Sequence, residues 1–406
     1  MTAPTDRIAS LDLLRGVAVM GILLMNITSF AMPSAAYFNP AAWGSMTVAD
    51  IAAWLVAFIF VDGKMRGLFS LLYGASMLLL IDRAEMAGRN GRNEQLIRSA
   101  WLFLFGFAHF VLLWWGDILM PYALIGCVAL LFVRREPLDL LKWAFLAFLC
   151  HFILLALWTA AIWSVTRYGS PADIAATLDS IGRPGSPEAL REVALYRSGL
   201  STILIHNLHE LPAHAGMLFY FALDTLGFML LGMAMLKGGF LTGRWPVEQY
   251  ARTARHCLLI GIPPMIALGG WAIFSGFAPV TTFGVVFTWS FPFRIPMTVG
   301  YTALILIVGQ RFGGSALTAR ISAAGRMAFS NYLGTSLLMC AIFYGWGLGL
   351  FGHVGRVGIY GFVLLAWAIM LLWSKPWLDR FAYGPLEWVW RSLTRRRLQP
   401  LRRAPM

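Results

Sequence analysis

The sequence predicts an all-α polytopic membrane protein of about ten transmembrane helices plus one interfacial helix, with both termini cytoplasmic. Three observations carry this expectation. Residues are 59% hydrophobic and 13% charged, with a mean hydropathy of +0.70, beyond what a soluble fold uses. The apolar residues come in runs near the length of about 20 that a bilayer core requires. Arginine and lysine gather in alternate connections, so the net charge of +13 reflects topology rather than nucleic-acid binding. Residues 1–406 read as a single transmembrane domain with a long periplasmic loop at 167–212 and a basic cytoplasmic tail at 375–406.

The first span covers residues 11–32, LDLLRGVAVMGILLMNITSFAM. Its long apolar run, its charges and the lack of a small-residue cleavage site argue against a cleavable signal. Arg7 and Arg15 place the N-terminus inside. At about 100° per residue, Asn26 falls roughly 20° around the helix from Arg15, and Asp12 about 60° to the other side. All three share one face. Polar groups at such depth face a protein interior or a watery cavity.

Residues 47–81 are almost continuously apolar over about 35 residues, or some 52 Å of helix, broken only by VDGKMRG. Two full spans here would put Arg83, Arg89, Arg92 and Arg98 outside. The expected arrangement is therefore an interfacial or partly inserted helix at Val48–Phe60 and a second crossing centred on 68–81. Residues 100–115 run outward with His109 inside, and 118–133 return to Arg134 and Arg135. Residues 140–165 run outward with His151. The first half of the 167–212 loop is rich in Pro, Gly and charge, and its second half, 195–211, reads as helix. Residues 216–236 return with Asp224 buried. Residues 258–274 go out, with Pro263 and Pro264 marking a kink. Residues 285–308 return with Arg294 in the outer third. A cytoplasmic segment follows at 312–326, then spans at 327–345 and 358–373 and the arginine-rich tail. The four cysteines lie singly in apolar segments and read as buried small hydrophobes.

Several groups bear chemistry. Asp12 and Arg15 read either as an interfacial anchor or as the holder of an anionic group at the cytoplasmic mouth. Asn26 reads as packing glue or as a donor to a developing oxyanion. His109 lies mid-span, where a histidine can serve as a general base, and Asp117 follows it at the outer end. Asp224 and Arg294 read as a buried pair or as substrate contacts. Arg326, Asn331 and Tyr332 sit together in GRMAFSNYL, and the inner face gathers Arg15, Arg83, Arg98, Arg320 and Arg326, where a phosphate-rich ligand or lipid headgroups would find cations. His206 and His209 fall at i and i+3 with Glu210 next, but no third convincing ligand appears; they read as a solvated face and no metal site is expected. No Walker loop, nucleophile elbow or zinc motif is present.

LDLLRG with Asn26 beyond it, followed by FNPAAWGSMTVAD, resembles the start of heparan-α-glucosaminide N-acetyltransferase and its bacterial relatives. The combination of LDLLRG, GKMRGLFSLLYGAS, the His109 to GDIL–Y stretch, GRMAFSNYL and GPLEWVWRSLT is more closely similar to the YeiB-like bacterial membrane family, catalogued as domain of unknown function 418. The resemblance implies a place among transmembrane acyltransferases that pass an acyl group from cytosolic acetyl-CoA to an amine or hydroxyl on the far side. By it, Asn26 matches an active-site asparagine. Pro40 stands where the heparan enzyme has its histidine, so another base must serve, His109 first and Asp117 second.

The expectation is a transmembrane acyltransferase of the bacterial inner membrane. Acetyl-CoA or another acyl-CoA is the donor, an extracytoplasmic sugar, amine or lipid the acceptor, and no metal takes part. Asn26, His109 and Asp117 form the catalytic set; Asp12, Arg15, Arg294, Arg326, Asn331 and Tyr332 contact substrates. The alternative is a transporter of a small anionic solute. Membrane lipids and the acceptor are the expected partners, with a homodimer as an option and no nucleic acid.

Overall fold

The computed structural model describes residues 9–402, apart from the side chains of residues 214 and 217–219; Arg7 and Arg403 lie outside the described residues. The described chain is helical throughout its ordered elements. It begins with α1 (Ala9–Ala31), the short α2 (Ala35–Phe38), α3 (Val48–Phe60) and α4 (Lys64–Met86). An ascending α5 (Gly91–Leu112) and a short α6 (Leu119–Ala129) follow, then the long α7 (Pro137–Tyr168). Three short helices, α8 (Pro171–Ser180), α9 (Pro187–Tyr196) and α10 (Leu200–His209), lead into α11 (Leu211–Lys237). The rest comprises α12 (Val247–Phe274), α13 (Pro279–Phe283), α14 (Phe291–Phe312), α15 (Ala316–Arg326), α16 (Ala328–Phe343), α17 (Arg356–Arg380) and α18 (Pro385–Thr394). Among the described residues seven helices, α1, α5, α7, α11, α12, α14 and α17, are long and apolar enough to cross a membrane. The protein is thus an all-α polytopic membrane protein. The stretches Leu119–Phe132, Pro279–Trp289 and Ala328–Phe343 are apolar but shorter.

One end of the bundle collects the arginine-rich connections. There Lys237 donates to the Val133 and Arg135 carbonyls, Gln310 to those of Gly243 and Trp245, and Trp390 to that of Arg98. The opposite end holds residues 33–47, α8 to α10 and residues 344–355, tied by bonds such as Gly345 N to the Tyr196 carbonyl and Trp43 Nε1 to the Gly352 carbonyl. These are called the basic end and the far end below.

Three breaks in helices shape the interior. The first separates α3 from α4. α3 starts on a reciprocal cap between Thr47 and Asp50, which meets two of the backbone donors a helix start leaves open. It stops at residues 61–63, where Gly63 takes φ 74°, a conformation that favours glycine. A Cβ on Gly63 would also collide with the Arg294 side chain. The second break is a π-helical stretch, Gly284–Trp289, between α13 and α14. Its Val286 carbonyl accepts from the Arg294 guanidinium. The third lies at Met327 between α15 and α16. The Glu387 carboxylate, from α18, accepts there from Phe329 N at 2.8 Å and Ser330 N at 3.0 Å, satisfying donors that α16 cannot pair itself.

Close helix crossings rest on paired glycines. A Cβ on Gly16 would meet the Ile321 carbonyl, and one on Gly325 the Asp12 carbonyl, so α15 lies directly across α1. Gly74 and Gly232 do the same for α4 against α11, facing the Met229 and Leu71 carbonyls. Small residues permit this backbone approach where lipid supplies no hydrophobic drive.

α3, expected as interfacial or partly inserted, packs one face into the bundle: Trp54 and Phe58 are buried with Met265, Phe277 and Met297. Residues 316–326 form α15, which packs into the bundle through buried Ala323 and Ala324. The first half of 167–212 holds two short helices; Ser170 and Ser186 cap α8 and α9, each followed by a proline that fits the first helical turn.

α9 clamps the far end. The Glu192 carboxylate accepts from Ser34 N at 3.0 and 2.9 Å and from Ser34 Oγ at 2.9 Å. Burial, aided by the charge of Glu188, pushes its carboxyl from 4.5 up to about 7. A carboxyl whose pKa is higher in the folded than in the unfolded state stabilises folding below the unfolded value, and that contribution is lost as pH rises through the folded one. Thermal unfolding of detergent-solubilised protein should therefore show a fall in stability between pH 5 and pH 7, and Glu192→Gln should flatten it. An unchanged slope in Glu192→Gln would remove Glu192 as its source.

Candidate functional site

Two cavities enter the bundle from opposite ends. The one at the basic end has a volume of about 580 Å³ and is lined by seven arginines, Arg15, Arg98 and Arg326 among them, against the carboxylates of Asp12, Glu94 and Glu387. Arg15 binds Asp12 at 3.3 Å and Ser76 Oγ at 2.6 Å. Arg98 lies with its guanidinium carbon 4.0 Å from the ring centre of Trp390. Such an array of fixed guanidiniums suits a polyanion such as a phosphate group.

The far cavity holds about 200 Å³ and is walled largely by aromatic rings, including Tyr37, Trp114, Trp115 and Phe287. Asn26, Asp62, Arg66, His151 and Arg294 also face it. Two buried ion pairs brace its base. Arg66 on α4 pairs with Asp224 on α11, and Arg294 on α14 pairs with Asp62 at the α3–α4 break. Tyr37 adds a bond to Asp62 at 3.3 Å. Among the described residues the Asn26 amide, half-buried on α1, has no hydrogen-bond partner in the chain.

Between the cavities stands a histidine–aspartate pair. His109, in the last turn of α5, and Asp117 meet at 2.8 Å through Nδ1 and Oδ1, both side chains wholly buried. The local sequence explains the pairing. After α5 the segment WWGDI is non-helical, and α6 begins at Leu119. The Asp117 Oδ2 accepts from Met120 N at 2.8 Å, capping α6. Gly106, one turn before His109, lets this turn approach, since a Cβ there would strike Met120 N and the Asp117 carboxylate. Asp117 faces the far cavity, while Tyr332, whose ring lies 5.2 Å from the imidazole, faces the basic one. The outer nitrogen of His109, Nε2, is buried without a partner. A carboxylate on Nδ1 fixes the tautomer with Nε2 free to accept a proton.

Comparison with known proteins adds the family. Residues 235–397 match the family model described as "Protein of unknown function (DUF418)". The chain is 33% identical to "Uncharacterized protein YeiB" of Escherichia coli (strain K12), over 97% of this chain and 98% of that protein. The chain belongs to the YeiB-like DUF418 family. A second DUF418-related sequence, "Uncharacterized protein YxaH" of Bacillus subtilis (strain 168), is 29% identical over 98% of this chain and 97% of its own length. The segment matched by the DUF418 model contributes Arg294, Arg326, Tyr332 and Glu387, while Asn26, His109 and Asp117 precede it.

In this DUF418 chain the expected residues separate into two groups. Asp12, Arg15, Arg326 and Tyr332 face the basic cavity; Asn26, Asp117 and Arg294 face the far one; His109 lines neither and is wholly buried behind Asp117. The polar stripe of α1 therefore serves two cavities instead of one site. Asn331 faces neither of them: its amide donates to the Ala324 carbonyl and Ser374 Oγ and accepts from Trp373 Nε1. Those bonds give it a packing role in place of the expected substrate contact. Asp224 and Arg294 are not each other's partners, because Arg66 and Asp62 intervene. Arg320 is spent on the Leu371 carbonyl. Pro40 lies buried in a 3-10 turn, and Tyr37 on the same segment supplies the cavity wall. His151 faces the far cavity beside Phe291.

Sequence reasoning missed Asp62, Arg66 and Tyr122 as site residues. The first two were visible as DGKMRG interrupting an apolar run, since charge at that depth is a functional signal by default. Among the described residues no group of three or more His, Cys, Asp or Glu is arranged to hold a metal ion.

Proposed function

We propose that this chain is a transmembrane acyltransferase that takes an acyl group from cytosolic acyl-CoA and delivers it to an acceptor on the far side. The observation that carries the reading is the buried His109–Asp117 pair, set between an arginine-lined cavity and an aromatic one. The positive-inside bias orients the basic end toward the cytoplasm of a bacterial inner membrane. There the nucleotide phosphates of acyl-CoA, with an acetyl or other acyl chain, meet Arg15, Arg98 and Arg326. A sugar, amine or lipid hydroxyl enters the far cavity. Its N–H or O–H loses a proton to His109 Nε2 as its heteroatom attacks the thioester carbonyl. The free amide of Asn26 donates toward the oxyanion. Collapse breaks the C–S bond, and the departing CoA thiolate takes the proton back from His109. No metal is needed for this sequence. The motif resemblance of α1 to the heparan acetyltransferases supports the same reading.

The second reading is transport of a small anionic solute, favoured by Arg66 and Arg294 at the far cavity. Both guanidiniums are already neutralised by carboxylates, and transport assigns no task to the His109–Asp117 pair.

The test is CoA binding to purified protein, followed by acyl transfer to candidate acceptors. Arg98→Ala and Arg326→Ala should each weaken CoA binding by about 10-fold or more, as expected for a charge-assisted contact. The loss should shrink at high salt. Absence of CoA binding, with solute uptake into proteoliposomes lacking acyl-CoA, would favour transport.

A further inference from the structure

The two cavities share a single residue among those described: Tyr122 lines both. Its ring is buried, at 3% exposure. The phenol oxygen lies 2.5 Å from Ser70 Oγ and 3.3 Å from the Arg66 carbonyl. Ser70 Oγ also lies 2.9 Å from the Arg66 carbonyl, so the two hydroxyls and that carbonyl form one hydrogen-bonded cluster. Phe69 and Tyr73, both facing the basic cavity, hold the ring edge-on at 5.7 and 5.4 Å between centroids. The phenol thus lies across α4 where Arg66 faces one cavity and Phe69, one turn later, faces the other.

The thickness of the partition varies around its rim. On α1 the wall runs from Arg15 to Ile22, about 10 Å of helix at 1.5 Å per residue, with Ala18 and Val19 buried between. On α6 it has no such depth. Ile118 faces the far cavity, Leu119 the basic one, and Tyr122 both. Non-helical backbone precedes it at residues 113–118, which is tolerated at membrane depth where it borders a cavity or is buried in protein.

We infer that Tyr122 is the seal of a route through the bundle, a barrier one side chain thick that keeps the two cavities apart. The ring does the sealing, and the hydroxyl bond to Ser70 holds it in place. Removing the ring joins the cavities into one aqueous passage between the two faces; removing only the hydroxyl leaves them separate. The inference does not depend on what reaction the protein performs; under the acyl-transfer reading the Tyr122 ring swings aside as the thioester passes toward Asn26.

Thiol accessibility tests it without reference to catalysis. The four native cysteines are replaced, and one reporter is introduced, Ser76→Cys in the basic cavity or Asn26→Cys in the far one. A charged, membrane-impermeant methanethiosulfonate is then applied to right-side-out and inverted bacterial membrane vesicles. With Tyr122 present, each reporter should react from one side alone. Tyr122→Ala should bring reaction from the opposite side up to the rate seen from its own side, and Tyr122→Phe should leave sidedness intact. Folding is followed by size-exclusion profile and thermal unfolding. If Tyr122→Ala does not fold, Tyr122→Val, which keeps a branched apolar side chain but not the ring, takes its place. Unchanged sidedness in whichever of these folds would overturn the inference, as would Tyr122→Phe opening the passage as far as Tyr122→Ala.

Discussion

Acyl transfer by Asp117→Asn should fall by about 10²–10⁴-fold, nearly as far as by His109→Ala. The equivalence follows from the hydrogen bonds around the carboxylate. Met120 N donates to Asp117 Oδ2, and His109 Nδ1 meets Oδ1. In an asparagine the carbonyl oxygen must stay on the Met120 N–H, which turns the NH₂ toward the imidazole. An NH₂ donating to Nδ1 forces the proton onto Nε2, the nitrogen that has to accept one. The variant keeps the shape of the site and the cap on α6 but holds the wrong tautomer. His109→Ala removes the base outright. Neither residue lines the basic cavity, so CoA affinity should stay within about twofold of the parent, well under the 1.4 kcal/mol of a tenfold change. Turnover and CoA binding measured on the same preparations separate this from misfolding. Near-parental turnover in Asp117→Asn would remove the pair from the chemistry.

The second large effect concerns stability. Asp224→Ala should destabilise the protein by about 1.5–3 kcal/mol, because it leaves the half-buried Arg66 guanidinium at the far cavity without its counter-ion. What remains around Arg66 is one weak bond, to Thr225 Oγ1 at 3.3 Å, and the face of Phe221, 5.0 Å from the guanidinium carbon. The double variant Arg66→Met, Asp224→Leu should recover most of that loss, since a well-packed apolar pair avoids the desolvation cost. Thermal unfolding in detergent compares the three proteins. A double variant no more stable than Asp224→Ala would mean that the pair does more than neutralise itself.

The outline of the fold was legible wherever a single helix determines its own limits. Residues 11–32 matched α1 (Ala9–Ala31) because the apolar run from Gly16 to Met25 is unbroken and no Pro or turn residue interrupts it before Pro33. Val48–Phe60 matched α3 at both ends because Thr47 and Asp50 start it and Asp62-Gly63 stop it. His109 and Asp117 were read as alternative bases, first and second choice; that they pair across one turn, eight positions apart, only the fold reveals. Pairings between distant segments were not. Arg294 finds Asp62 at a separation of 232 residues, and no periodicity within either helix encodes that choice. Asn331 was misjudged for a related reason, since its partners Ala324, Ser374 and Trp373 converge only when α15 and α17 fold around it. The angular argument for α1 placed Asn26 and Arg15 on one face correctly, yet the wall that separates their surroundings comes from α6.

The ion pairs also constrain how the chain is built. α4 carries Lys64 and Arg66 in its first turn; Lys64 donates to the nearby Phe58 carbonyl, whereas Arg66 has no local carboxylate. The carboxylate that neutralises Arg66 lies on α11, 158 residues later. During synthesis α4 therefore leaves the ribosome long before its counter-ion exists. The charge at the start of α4 is therefore neutralised only once α11 has been made, so the α4–α11 pairing is a late, long-range step in the assembly of the bundle.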